Sequence, residues 1–557
     1  MYRVALVDLK IPMFRPYTAI RQLALILMLA GSFVCVGTSQ TRANAPEVHV
    51  RSGALRGAEL SGDVKSFLGI PYAAPPLGNL RWRPPQEPAA WTGVREARHY
   101  SSACAQRNNN HSSEDCLYLN VWTPAKAFSE HLPVMVWIHG GGFAAGAGSD
   151  PKFDGTRLAT KGVVIVTINY RLGVFGFLAH PDLTKESPHH ASGNYGLMDQ
   201  LYALRWVQEN IGSFGGDPHR VTVFGESAGA TSIAYLLVSP LANGLFQGAI
   251  LESPSRVLLP DPELNKVANG LTPMETVGTT IVPHIVEARM WSPAEVMQRA
   301  KAATDTFYAP GGKGKLGIRP ESHVHIPDAH DSPWWAFVDG WVIPQQLQTL
   351  YRDGSALSVP IMAGTNANEG SIFLRSFPVK TTPDYRDYLR SNYWPEGGAM
   401  FRLYPATSAG SIMTAVDNII TDALFLYGVR GIALAEQHKN EPVYLYRFSR
   451  DSRDPKMASL GAWHGAEVPY VFGTADPRRS PSMYGAQDHA LSEEMMSAWT
   501  NFAKNANPNT SHLPRWPAAT AQDENYMNFG DTPAFFRLMK QKNFAMFDRV
   551  FALRPAR

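Results

Sequence analysis

A chain of 557 residues, 45% of them hydrophobic, is not limited in the core it can bury, and α/β proteins of this length often form one unit. The formal charge of +3 overstates its basicity. Without residues 1–45 the 51 basic residues fall to 46 and the 48 acidic to 47, and a chain so near neutrality, with no Lys/Arg cluster, suggests neither nucleic acid nor an anionic membrane as partner.

The first predicted element is a leader. Basic residues up to Arg21 precede the apolar run Leu23–Gly37 and the polar "TRANAP", the pattern of a signal peptide. The run is too short for a comfortable membrane span. Cleavage is expected after Ala43 or Ala45; Ala43 is favoured because a cut after Ala45 would engage the peptide bond of Pro46. Met13 is an alternative start, and a buried apolar helix an alternative reading. Cys35 follows Val34 rather than a small residue, which does not suit a lipid anchor. The expectation is an exported protein, periplasmic or secreted, without a stable membrane anchor. Of three cysteines, Cys104 and Cys116 then remain; an even pair in an exported chain reads as one disulfide, the alternative being two buried thiols.

From Pro46, "PEVHVRSGALRGAE" and "KSFLGIPYA" read as a small antiparallel lead-in. The runs "VMVWIHG", "GVVIVTINY", "RVTVFGE", "GAILES", "VPIMAGT" and "VYLYRFS" are continuously apolar, as strands buried on both faces are. Helical stretches such as "LMDQLYALRWVQENIG" and the late "LSEEMMSAWTNFAKNA" alternate with them. The fold class is therefore α/β: a large, mostly parallel twisted sheet with helices on both faces, a single domain over 46–557. The stretch from about Leu258 to Phe337, with "PGGKGKLG" and "RPESHVHIPDAHDS", breaks the rhythm. It reads as excursions over the carboxyl edge of the sheet, where pockets are commonly shaped.

Within "VTVFGESAGA" a strand turns sharply into a helix around Ser227. Gly225 and Gly229 suit the crowded turn, and the serine hydroxyl stands at the unpaired N–H groups of the following helix. A G-x-S-x-G arises by chance in a chain this long, so it needs partners. A serine nucleophile requires a base, a group to orient that base, and oxyanion donors. Gly140, Gly141 and Gly142 end the strand "WIHGGGF"; such a run can be a mere flexible turn, but beside a nucleophile elbow Gly141 and Gly142 could donate N–H groups, with Ala228 as a third donor. "GTNANEGSIF" delivers Glu369 and "GAWHGAEVPYVFG" delivers His464, in the order of a Ser–acid–His triad. Spacing alone does not select His464 over His325 or His489.

The stretches "FLGIPYAAPPLGNLRWRPP", "SEDCLYLNVWTP", "WIHGGGF", "INYRLGVFGFL", "GNYGLMDQLYALRWVQENIGSFGGDPHRVTVFGESAGA", "GTNANEGSIF" and "WHGAEVPYVFG" resemble the type-B carboxylesterases, the family of carboxylesterases, fungal lipases and cholinesterases, from about Phe67 to Gly473. The resemblance implies an α/β-hydrolase fold and hydrolysis of small-molecule carboxylic esters through an acyl-enzyme, with no metal or organic cofactor. It implies Ser227 as nucleophile, His464 as base, Glu369 as its orienter, and Gly141, Gly142 and Ala228 as oxyanion donors. Glu226 and Ser253 match positions beside the histidine, a structural role for Ser253 being equally open. Cholinesterases carry a tryptophan in the disulfide loop; here that loop is "AQRNNNHSSED", without a ring, which speaks against a choline-ester specialist. A lipase-like or amide-cleaving enzyme, or a secreted binding protein on the same fold, are the alternatives.

Overall fold

Strands apolar on every side chain must be covered on both faces, and the chain solves this with one large sheet between two layers of helices. The computed structural model describes residues 45–307, 334–374, 377–393, 395–436, 439, 441–520, 523–537 and 540–552. The expected leader with Met13, Cys35 and Ala43, and the polar stretch containing His325, lie outside the described residues. Residues Ala45–Arg557 make one compact unit.

In chain order the strands of the sheet are β1 (Ala58–Glu59), β2 (Lys65–Pro71), β3 (Tyr118–Thr123), β4 (Leu132–Ile138), β5 (Val164–Ile168), β6 (Gly216–Glu226), β7 (Gly248–Glu252), β8 (Ile361–Asn366), β9 (Val443–Phe448), β10 (Asn525–Phe529) and β11 (Ala534–Arg537). They lie in the order β11-β10-β9-β8-β7-β6-β4-β5-β3-β2-β1. From β10 to β5 every pair is parallel. Antiparallel strands flank them on both edges, β11 on one and β3, β2 and β1 on the other. The expected lead-in strands are there: Lys65–Pro71 joins the large sheet as β2, while Glu47–Val50 pairs antiparallel with Gly53–Arg56 in a separate three-stranded sheet to which Val94–Glu96 adds in parallel.

Period-two alternation divides the core. Along β4, Val134, Val136 and Ile138 face one apolar cluster, whereas Met135 and Trp137 face the other. Helices α1 (Tyr195–Asn210) and α2 (Ala228–Val238) cover the first side, and the late helix Ala486–Asn505 covers the second through Leu491, Met495, Trp499 and Phe502. That helix starts five residues before the predicted Leu491, because Asp488 accepts the Gly485 N–H at 2.8 Å and so caps an earlier first turn.

The stretch expected to be irregular contains α3 (Met274–Ile281) and α4 (Pro293–Phe307). Met274, Val277 and Ile281 are buried at helical spacing, and Gly278 lets α3 touch the main chain: a Cβ there would lie 1.7 Å from the Ala179 carbonyl oxygen. Scattered prolines masked this periodicity. Further on, α5 (Ala409–Glu436) is the one helix among the described residues long and apolar enough to cross a membrane, and it is mostly buried. Its π-helical turn Thr421–Leu426 is wholly buried and leads directly to the site.

Candidate active site

Parallel strands deliver their carboxyl ends to one edge, and in an open sheet that edge collects the functional loops. The tight turn after β6 is made possible by what passes beneath it. A Cβ on Gly225 would lie 2.6 Å from the Ile138 carbonyl oxygen at the end of β4, and one on Gly229 only 1.9 Å from the same atom. No side chain fits either place. Between them Ser227 adopts φ 56° and ψ −123°, a conformation costly for a residue with a Cβ. It is held there: its N–H donates to Glu252 O at 2.9 Å, and its carbonyl accepts from Thr231 N at 2.8 Å in the first turn of α2.

Two loops reach over this elbow. The Ser227 hydroxyl lies 2.7 Å from His464 Nε2, and His464 Nδ1 lies 2.6 Å from Glu369 Oε2. Glu369, fully buried, accepts the Asn366 N–H on its other oxygen at 2.6 Å, while its own N–H donates to Thr421 Oγ1 in the π-turn at 3.1 Å. The acid and histidine loops are stitched together by Asn368, whose N–H donates to Ala462 O at 3.0 Å and whose Nδ2 donates to Asp417 at 2.9 Å. Phe373 and Phe425 flank the imidazole, ring centres 5.6 and 4.8 Å away.

The site is unusually rich in acid. Glu226 Oε1 stands 3.2 Å from His464 Nε2. Sequence reasoning missed Glu467, three residues after the histidine, which takes a hydrogen bond from Asn366 Nδ2, and Glu252, which accepts from Trp499 Nε1 at 2.8 Å. The short "HGAE" spacing was the available signal for Glu467; nothing local marked Glu252. Burial alone would lower the imidazole, but Glu226 and Glu369, then Glu467, outweigh it and raise His464 to about 9. The carboxyls are themselves disfavoured as anions. Burial first, then the charges of Glu226 and Glu369, pushes Glu467 up to about 8, and burial raises Glu252 with Glu467 beside it and raises Glu226 against the opposing pull of His464, so the cluster and the imidazole titrate together. Ser253 is buried at φ 52°; its N–H donates to Gly364 O at 2.9 Å, and its hydroxyl makes no hydrogen bond.

Across the elbow, Gly141, Gly142 and Phe143 follow one another at φ 106°, 61° and 56°. The Gly141 carbonyl accepts from Ala144 N and Ala145 N at 3.1 and 3.0 Å, closing a tight turn. Its entry packs against the elbow at Ser227, for a Cβ on Gly140 would lie 3.0 Å from Ser227 Cβ. Ala228 begins α2 directly after Ser227, and Gly141 and Gly142 follow Gly140, the residue that packs on Ser227. Beyond Ala144 opens a cleft lined by Arg107 of the disulfide loop, Phe175, Met297, Lys301 and Asp305 of α4, and Trp334. Trp335 instead packs edge-on to Phe143 at 4.8 Å. Cys104 and Cys116 are joined in a disulfide. His489 sits on the late helix Ala486–Asn505, away from the two loops that meet Ser227.

A family model described as the carboxylesterase family matches residues 44–549. Similar proteins include the fumonisin B1 esterase of Sphingopyxis macrogoltabida, 40% identical over 498 residues and 86% of each chain. The para-nitrobenzyl esterase of Bacillus subtilis strain 168 is 36% identical over 85% of this chain and 92% of its own. Among solved structures a PNB esterase superposes with a TM-score of 0.76 at 31% identity, covering 92% of this chain and all of the other.

Proposed function

We propose that this chain, which belongs to the carboxylesterase family and is a carboxylic ester hydrolase, works by acyl transfer to Ser227. The observation that carries the reading is the unbroken path from the Ser227 hydroxyl to His464 Nε2 at 2.7 Å and from His464 Nδ1 to Glu369 at 2.6 Å. His464 takes the hydroxyl proton as the oxygen attacks the ester carbonyl, while the Glu369 carboxylate accepts Nδ1–H and fixes the tautomer that leaves Nε2 free. The N–H groups of Gly141, Gly142 and Ala228 receive the oxyanion, where charge develops most. The imidazolium then protonates the departing alcohol. Water enters by the same general-base route and releases the acid. No step calls for a metal or an organic cofactor.

The nearby acids serve the same cycle. Glu226, 3.2 Å from Nε2, stabilises the imidazolium that exists after proton transfer, and burial keeps part of the cluster protonated so that this hold does not become permanent. Export belongs to the same reading, with residues 1–43 or 1–45 removed. The Cys104–Cys116 disulfide supports it because such bonds persist in oxidising compartments. The esters in the relatives' descriptions are unlike one another, so the shared feature carried over is the bond cleaved.

Labelling with an active-serine phosphonate, followed by peptide mass analysis, tests the assignment. The adduct is expected on Ser227, and Ser227→Ala is expected to fold with an unchanged circular dichroism spectrum and to lose p-nitrophenyl ester turnover. Undiminished hydrolysis by that variant would end the reading.

A further inference from the structure

The short disulfide loop carries no aromatic ring, yet two amide side chains tie it to the turn beside Ser227. Gln106 lies two residues after Cys104. Its Nε2 donates to Gly146 O at 2.8 Å, and its Oε1 accepts the Gly146 N–H at 2.9 Å, so one side chain satisfies both main-chain groups of one residue. The same Nε2 donates back to Cys104 O at 3.0 Å. Asn169, just past β5, makes a second tie. Its Oδ1 accepts the Gly148 N–H at 2.8 Å, and its Nδ2 donates to Ser102 O and Cys116 O at 3.0 and 3.1 Å. Each tie ends on the carbonyl of a half-cystine, Cys104 O for Gln106 and Cys116 O for Asn169.

The far end of that turn is not independent of its beginning. Gly146, at φ 111°, lies so close that a Cβ on it would be 2.3 Å from His139 Nδ1 and 2.6 Å from Gly140 O. Gly140 in turn packs on Ser227 Cβ. A displacement of Gly146 is therefore passed to Gly140 and to the N–H groups of Gly141 and Gly142, since nothing compressible lies between them.

We infer that Gln106 is a positioning residue for the oxyanion site: the disulfide loop is the anchor, and Gln106 transmits its rigidity to the turn Gly140–Gly146. The inference rests on the proposed role of Gly141 and Gly142. It predicts that losing this amide weakens transition-state binding while leaving substrate binding nearly untouched, because the donors matter most when the oxyanion forms.

The test compares the parent with Gln106→Leu, which removes both hydrogen bonds to Gly146 and the one to Cys104 O, and Gln106→Glu, which keeps the acceptor for the Gly146 N–H. Rates are expressed per phosphonate-titrated site, so the yield of folded protein does not enter. For Gln106→Leu, kcat is expected to fall by about 10- to 100-fold, the scale of a displacement near 1 Å at a reacting centre, with KM changed less than threefold. Affinity for a trifluoromethyl ketone, whose hemiketal oxyanion occupies the same donors, should fall in parallel with kcat/KM. Gln106→Glu should lie between the two. A kcat within twofold of the parent, or a loss confined to KM, overturns the inference; if Gln106→Leu does not accumulate as folded protein, Gln106→Glu is judged by those same two criteria. The phosphonate adduct on Ser227 of the parent is established first. Its absence would sink the acyl-transfer reading itself, whereas its presence beside an unaffected variant sinks only the role of Gln106.

Discussion

Gly229→Ala adds a single methyl group, and the structure sets its cost. The new Cβ would stand 1.9 Å from the Ile138 carbonyl oxygen, 2.8 Å from the Ile138 carbonyl carbon and 3.0 Å from that of His139. Carbon and oxygen come to rest at about 3 Å or beyond, so either α2 or the end of β4 must move by roughly 1 Å. Main chain cannot rotate out of the way as a side chain can. If α2 moves, Ser227 shifts relative to His464, now 2.7 Å away; if β4 moves, it carries Gly140 to Gly142 with it. A misplacement of that size costs about 100-fold in rate, and overpacking costs about 1–3 kcal/mol of stability. The assay is p-nitrophenyl butyrate hydrolysis per titrated site at a temperature well below the melting transition, with thermal denaturation measured separately. Gly410→Ala is the control, since a Cβ there meets nothing within 4 Å and replaces helical glycine by a better helix former; it should keep full activity. Activity of Gly229→Ala within threefold of the parent would refute the reasoning, because the elbow would then tolerate the bulk that the geometry forbids.

Two further outcomes follow from the site's charges. The acidic limb of kcat/KM should lie above the ordinary imidazole value near 6.5, because neighbouring carboxylates raise His464. Glu226→Gln removes the anion that favours the protonated ring and so should move that limb to lower pH by roughly 1 unit or more, read from a pH–rate profile; an unmoved limb would remove Glu226 from the titrating unit. An acylcholine should not be favoured tenfold, about 1.4 kcal/mol, over a neutral ester of the same acid. Trp334 lines a neighbouring cleft that Ser227, Glu369 and His464 do not line, and its charges are mixed, Arg107 and Lys301 standing with Asp305, which pairs with Lys301, so it offers no net anionic seat for a trimethylammonium group. Butyrylcholine against 3,3-dimethylbutyl butyrate measures the ratio, and a larger preference for the cation would show that an aromatic ring reaches the bound ester.

What the sequence by itself determined was local. Continuous Val/Ile runs cannot be exposed on either face, so "VMVWIHG" and "GAILES" specified interior parallel strands before any partner was known. The glycines around Ser227 announced a strand-to-helix reversal because only residues without a side chain fit such a turn. Periodicity went unread at α3 and α4: α3 keeps an apolar stripe of Met274, Val277 and Ile281, but the helix is short, scattered prolines surround it, and Gly278, which serves the contact with Ala179 O, interrupts the stripe. Tertiary structure alone decided which groups share the site. Sheet order sets β7 and β4 on either side of β6, and with every neighbour from β5 to β10 parallel, the loops after β4, β6, β7, β8 and β9 converge on one edge although hundreds of residues separate them, and the segment that leads into the antiparallel β3 reaches the same edge. That convergence brings Glu252 and Glu467 into the cluster around His464 and Gln106 against Gly146. Their residue types in isolation suggest only solvated side chains, because the desolvation that raises the carboxyls and the hydrogen-bond geometry that engages the amide exist only once the distant segments have packed.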